Sequence, residues 1–256
     1  MKKETGLYIH IPFCRQKCLY CDFPSFPGKE DYFPEYTQAV CKELEQKAEM
    51  LRGWRIKSVF VGGGTPTMLS ADQLESILQT VFRCYDVDTE AEITTEANPG
   101  TLDLELCKRL KQMGFNRLSM GVQAWQDALL ERLGRIHTRQ QFVRNFANAR
   151  EAGFDNINVD LMFALPEQTL GEWEETLHAI TALQPEHISA YSLILEEGTQ
   201  LYDLYENGVY HEMDEELDRA MYRTAVRILE EEGYHQYEIS NFAKERKESR
   251  HNKLYW

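Results

Sequence analysis

Cys14, Cys18 and Cys21 are spaced C-x3-C-x2-C, directly after a short apolar run from Leu7 to Ile11 that reads as a strand. Three thiolates on so short a loop can converge on one metal centre, because the loop can wrap around it. Thiolate is the ligand type that iron–sulfur clusters take. A four-iron cluster anchored by three cysteines leaves one iron open to a ligand from outside the chain. Zinc is a competing reading, but structural zinc takes four protein ligands. No fourth cysteine or nearby downstream histidine completes a standard finger. A disulfide and plainly buried thiols also compete. His10 lies within the strand, where a packed or supporting histidine is expected. Cys41, Cys84 and Cys107 fall in helical segments far apart in sequence and are expected as buried free thiols.

A loop of this kind needs a scaffold. Six runs read as strands: Leu7 to Ile11, Ile56 to Val61, Ala91 to Thr95, Arg117 to Val122, Ile157 to Phe163 and His187 to Leu195. They are rich in Val, Ile and Tyr, or fully apolar, as in a sheet covered on both faces. Between them lie helical patterns. Leu74, Ile77, Leu78, Val81 and Phe82 recur at helical spacing, as do Leu170, Trp173, Leu177 and Ile180. Ser70 with Gln73, Thr138 with Gln141, and Thr169 with Glu172 match capping boxes. A further helix, about 215–232, stops at Gly233. Strand–helix alternation over two hundred residues predicts a parallel α/β fold, either an open doubly wound sheet or a partial barrel.

Composition narrows the function. The 256 residues carry a net charge of −14, with no basic stripe for phosphate contacts, so no nucleic acid is expected as a partner. No run approaches the roughly 20 apolar residues of a transmembrane segment, and the N-terminus lacks the apolar run of a signal peptide. A cytoplasmic protein is expected. There, six cysteines are more often metal-binding, catalytic or buried than paired. Gly62-Gly63-Gly64-Thr65 lacks the Lys of a phosphate loop and the spacing of a dinucleotide fingerprint.

Several blocks carry a family resemblance. They are Tyr8-Ile9-His10-Ile11-Pro12-Phe13-Cys14, Cys18-Leu19-Tyr20-Cys21-Asp22-Phe23, Gly62-Gly63-Gly64-Thr65-Pro66-Thr67, Glu96-Ala97-Asn98-Pro99-Gly100, Ser119-Met120-Gly121-Val122-Gln123 and Asp160-Leu161-Met162. The last is His251-Asn252-Lys253-Leu254-Tyr255-Trp256. In this order they resemble the HemN/HemW branch of radical S-adenosylmethionine (SAM) proteins. The resemblance implies a partial (β/α)6 barrel of TIM type. It implies a [4Fe-4S] cluster on Cys14, Cys18 and Cys21, and SAM contacts at Tyr8, Tyr20, Gly63, Gly64, Thr65, Glu96, Gln123, Arg135 and Asp160. SAM can chelate the open iron through its amino and carboxylate groups, and an electron from the cluster can then cleave the sulfonium. All these residues lie late in, or after, expected strands, which in a parallel barrel is the C-terminal mouth.

Within that branch the resemblance offers a haem chaperone of the HemW type and an oxygen-independent coproporphyrinogen III oxidase. Cys21 is followed by Asp22-Phe23, where the oxidases typically have a further cysteine two residues on. Only seven residues precede Tyr8, and the final motif is similar to the HNxxYW of the chaperones. Haem is therefore an expected ligand, haem-accepting proteins and an electron donor are expected partners, and His251 is a candidate haem ligand beside the aromatics Tyr255 and Trp256. A radical SAM enzyme that modifies RNA is less favoured, given the acidic charge. Residues 1–235 are expected as the core domain, and residues 236–256 as the start of a C-terminal region cut short inside its last motif.

Overall fold

The structure is a computed structural model that describes residues 2–211 and 213–255. Six strands run parallel and in sequence order: β1 (Lys3–Ile11), β2 (Trp54–Gly63), β3 (Val87–Ala97), β4 (Arg117–Gln123), β5 (Ile157–Phe163) and β6 (His187–Ser192). The connecting helices are α1 (Phe33–Lys47), α2 (Ala71–Cys84), α3 (Leu104–Met113), the short α4 (Asp127–Arg132), α5 (Arg139–Glu151) and α6 (Leu170–Ala182). After β6 come α7 (Gln200–Glu206) and α8 (Glu215–Glu231). Then β7 (His235–Gln236) and β8 (Asn241–Ala243) add an antiparallel edge, and α9 (Arg250–Lys253) ends the described chain. The sheet order is linear from β1 to β7, so the barrel is partial and its ends are not joined.

All three expected capping boxes form, at Ser70, Thr138 and Thr169, each with both reciprocal bonds. The helical stripe of α2 buries Leu74, Ile77, Leu78 and Val81, whereas Phe82 turns outward and is largely exposed. Trp173 of α6 is fully buried, and its indole N–H donates to the Met221 carbonyl at 2.9 Å, tying α6 to α8. Gly233 follows α8 with φ +85, a backbone region that favours glycine.

The strands do not have two equivalent apolar faces. Ile9, Val59, Val61, Leu118, Met120, Val122, Val159 and Leu161 face the helices and are buried among them. The residues between them point inward: Phe60, Glu96, Arg117, Ser119, Asn158, Asp160 and Tyr191 line one interior cavity. Closed barrels of this type fill the interior with bulky branched side chains. Here the interior is polar and hollow, which the apolar reading of the strands does not anticipate.

Residues after 235 do not stand apart. β8 pairs with β6, Tyr237 bonds His187, and the α9 segment packs against β2 and β3 at the N-terminal end of the strands. Among the described residues no helix is long and apolar enough to cross a membrane.

Candidate functional site

The cysteine loop is held from three sides. The Phe26 N–H donates to the Pro12 carbonyl at 2.8 Å, closing the loop on itself. Leu19 N–H donates to Leu133 O at 3.0 Å, and the Leu19 carbonyl accepts from Leu201 N–H at 2.8 Å. The loop is thereby stitched to the α4–α5 connection and to α7. His10 adds a fourth tether. Its Nε2 pairs with the Pro24 carbonyl at 3.0 Å and its Nδ1 with the Tyr8 hydroxyl at 2.9 Å. The two bonds fix the ring and support the loop from beneath.

The glycine segment after β2 lies against this loop. Gly64 N–H donates to Ile11 O at 2.8 Å, and Thr65 N–H to Phe13 O at 2.7 Å. The approach is close enough to require glycine. A Cβ on Gly64 would stand 2.6 Å from the Phe13 carbonyl oxygen, and one on Gly63, whose φ is +111, would overlap the His10 imidazole.

Cys14, Cys18 and Cys21, all free and half-buried, share a single cleft with Tyr20, Gly63, Gly64, Glu96, Gln123, Arg135 and Asp160. Ten of the thirteen residues named from the sequence thus meet around one space. Thr65 is buried just behind it, and its hydroxyl lies 3.5 Å from Cys14 Sγ. That hydroxyl already accepts from Asn98 Nδ2 at 2.7 Å, which leaves its own proton for the sulfur. Tyr8 does not line the cleft; it stacks on Phe60, and its hydroxyl pairs with His10 Nδ1.

Arg135 ties the site together. It donates to Cys18 Sγ at 3.4 Å, to Asn98 Oδ1 at 2.6 Å and to the Gly121 carbonyl. It also donates to Nδ1 of His137, whose pKa falls to about 3 through burial and the adjacent guanidinium. Gln123 ends β4 at a register shift with φ +71, unusual for a side-chain-bearing residue. Its carboxamide oxygen accepts from the Tyr191 hydroxyl at 3.2 Å.

Two carboxyls occupy the opposite wall. Glu96 accepts from Gly63 N–H at 2.9 Å, and its pKa is pushed up to about 8 by burial and by neighbouring Asp160. Asp160 is raised as well, mainly by burial, although Asn158 at 2.7 Å and Ser119 at 3.2 Å donate to it. Asn98, Ser119, Asn158 and Tyr191 are site residues that the sequence pattern does not single out. Asn98 and Ser119 lie inside motif blocks. Asn158 and Tyr191 carry only the alternation of a strand, two residues from Asp160 and Ser189.

His251 is elsewhere. It is buried, its Nδ1 pairs with Ser58 Oγ at 2.8 Å, its ring packs on Phe60, and its Nε2 faces the Tyr255 hydroxyl at 3.5 Å. Both nitrogens are engaged within the protein, as a packing histidine's would be, and burial lowers its pKa. Trp256, the other expected aromatic, lies outside the described residues. Cys107 is buried as expected, but Cys41 and Cys84 are only partly so. His187 pairs with Asn158 and Tyr237.

Among the described residues no three His, Cys, Asp or Glu side chains meet closely enough for a single metal ion. In a cubane each thiolate takes a different iron, so its ligands surround a volume rather than a point.

A parallel partial barrel with three cysteines and a glycine loop at its C-terminal mouth defines a class. The radical SAM superfamily profile matches residues 8–180, and the chain belongs to that superfamily. Membership implies a [4Fe-4S] cluster and SAM. Over 97% of its length the chain is 43% identical to the heme chaperone HemW of Bacillus subtilis, and over 98% it is 37% identical to the heme chaperone HemW of Escherichia coli. Its fold superposes on the Escherichia coli coproporphyrinogen III oxidase HemN with TM-score 0.86 and 25% identity, covering 96% of this chain and 57% of that one. The chain spans 66% of the length of both chaperones.

Proposed function

We propose that this chain is the cluster- and SAM-binding core of a haem chaperone of the HemW kind, in a cytoplasmic setting. The observation that carries the reading is the convergence of Cys14, Cys18 and Cys21 on the cleft that also holds Arg135, Glu96, Gln123 and Asp160. The cysteines would hold three irons. The Thr65 hydroxyl and the Arg135 guanidinium, poised on two of the sulfurs, would stabilise them as thiolates. A cluster with an open iron supplies one-electron chemistry to SAM. Gly63 and Gly64 would let the backbone approach the methionyl end, and Tyr20, Glu96, Gln123 and Asp160 would offer hydrogen bonds to the remainder. Tyr8 would position His10 and, through it, the cysteine loop.

The haem part rests on the chaperone relatives and on Phe23, which stands where the oxidase pattern has a cysteine. The haem acceptor and the electron donor belong to the same proposal. The high structural similarity to HemN makes coproporphyrinogen oxidation the reading to test against.

Three measurements on the full-length protein decide. Anaerobic reconstitution should give a brown protein whose EPR spectrum changes on adding SAM. Haem titration should give a saturable Soret band. Coproporphyrinogen III under reducing conditions should remain undecarboxylated. Turnover of the porphyrinogen, or absence of the Soret band, would overturn the chaperone reading.

A further inference from the structure

A guanidinium sits in the barrel interior with no hydrogen-bond or ion-pair partner among the described residues. Arg117 opens β4, is 2% exposed, and lines an interior cavity that continues from the cysteine loop toward α9. Its Nε makes no hydrogen bond. The neighbouring carboxylates are committed elsewhere. Glu96 bonds Gly63, Asp160 bonds Ser119 and Asn158, and Glu92 accepts from Ser249, Arg250 and His251. Glu96 and Asp160 sense its charge without a hydrogen bond or ion pair to it. Burial, joined by that same charge, keeps His187 and His251 neutral. An enclosed cation with no direct partner is costly to the fold, so a ligand that completes it is the simplest explanation.

The cavity around it is two-faced. Near the mouth it presents Phe23, Met162, Leu193 and Ile194; toward the floor it presents Asn158, Ser189, Asn241 and Asn252 around Arg117. Phe23 and Ile194 are largely exposed, so the apolar end opens to solvent. Such a wall suits a flat apolar body above and an anionic group below.

We propose that Arg117 anchors a carboxylate of the molecule that enters this cavity. Resting on the haem reading above, that carboxylate is a haem propionate. The guanidinium fork matches a carboxylate in two-point geometry, and the water-poor floor strengthens the contact.

The test compares haem with haem dimethyl ester, whose propionates carry no charge, on the full-length wild type and on Arg117→Gln. Haem should bind the wild type about ten- to a hundredfold more tightly than the ester does, the loss expected for one charge-assisted contact. Arg117→Gln should lower haem affinity to the ester level and leave ester affinity unchanged. Its melting temperature should match or exceed the wild type's, because no internal bond is lost. If the ester binds the wild type as well as haem does, or Arg117→Gln binds haem normally, the anchor is wrong and the haem reading stands. If the wild type binds no haem at all, the haem reading fails, and sodium propionate decides Arg117. Propionate should raise the wild-type melting temperature above a sodium chloride control of equal ionic strength, and should not raise that of Arg117→Gln. Equal melting in propionate and chloride would overturn the anchor. So would a marked drop in the melting temperature of Arg117→Gln, which would assign the residue to holding the fold.

Discussion

Glu96 offers a measurable consequence of the site's electrostatics. Its carboxyl titrates normally near 4.5 in the unfolded chain and near 8 in the folded one. Between those values the folded state holds a proton that the unfolded state has released. Stability is therefore full below pH 4.5 and falls as pH rises toward 8, above which it levels off. The interval, at about 1.4 kcal/mol per pH unit, sets a ceiling of about 5 kcal/mol. The carboxyl borders a solvent-connected cleft, so screening reduces the observable loss to about 2–3 kcal/mol. Glu96→Gln cannot ionise, yet its amide oxygen can keep the bond from Gly63 N–H. Urea unfolding of the SAM-free protein at pH 5, 6, 7 and 8 should show the wild type losing stability relative to the variant across that range. The gap should be widest at pH 8. Asp160 contributes to the raised value, so the loss is read for the pair, and the difference between the two proteins isolates what Glu96 brings. Parallel pH profiles for wild type and variant would refute the assignment of a proton to this carboxyl.

Other substitutions test the rest of the site. Gly63→Ala introduces a methyl at φ +111 against His10 and should cost about 2 kcal/mol or more, measured by thermal unfolding, together with reduced iron uptake. Serine in place of Cys14, Cys18 or Cys21 should each bring reconstituted iron near background, whereas Cys107→Ala, on the buried face of α3, should retain full iron content. His251→Ala leaves the buried Ser58 hydroxyl without its partner and strips packing from Phe60. It should destabilise by about 2–4 kcal/mol in denaturant titrations, and a change under about 0.5 kcal/mol would contradict its packing role.

The six parallel strands and the capped helices were legible because each rests on local chemistry. Thr169 with Glu172 closes its own helix start whatever surrounds it, and Ile157 to Phe163 is apolar enough to read as a strand alone. The cysteine loop was legible for the same reason: its three ligands lie within eight residues. What escaped depends on neighbours distant in sequence. Asn158 matters because β5 sets it beside Ser119 and His187, and no pattern along the chain announces that. Arg117 looked like an ordinary first residue of a strand. The polar interior was obscured because apolar outward residues dominate each run. The bond from His251 to Ser58 joins residues 193 apart, so no pattern along the chain shows it. Tyr8 shares a motif block with the cysteines, and its stacking on Phe60 and bond to His10 appear only in the fold.

The sheet that runs from β1 to β7 without rejoining itself has a mechanical consequence. A closed cylinder can widen only by rupturing ladder bonds along some seam. Here the seam is already parted, and the strands form one continuous ribbon with register shifts in three of its pairs. What spans the gap is the α9 segment, held to Ser58 and Glu92 by side-chain bonds rather than by a ladder. Widening the bore would therefore strain these few bonds before any interstrand bond.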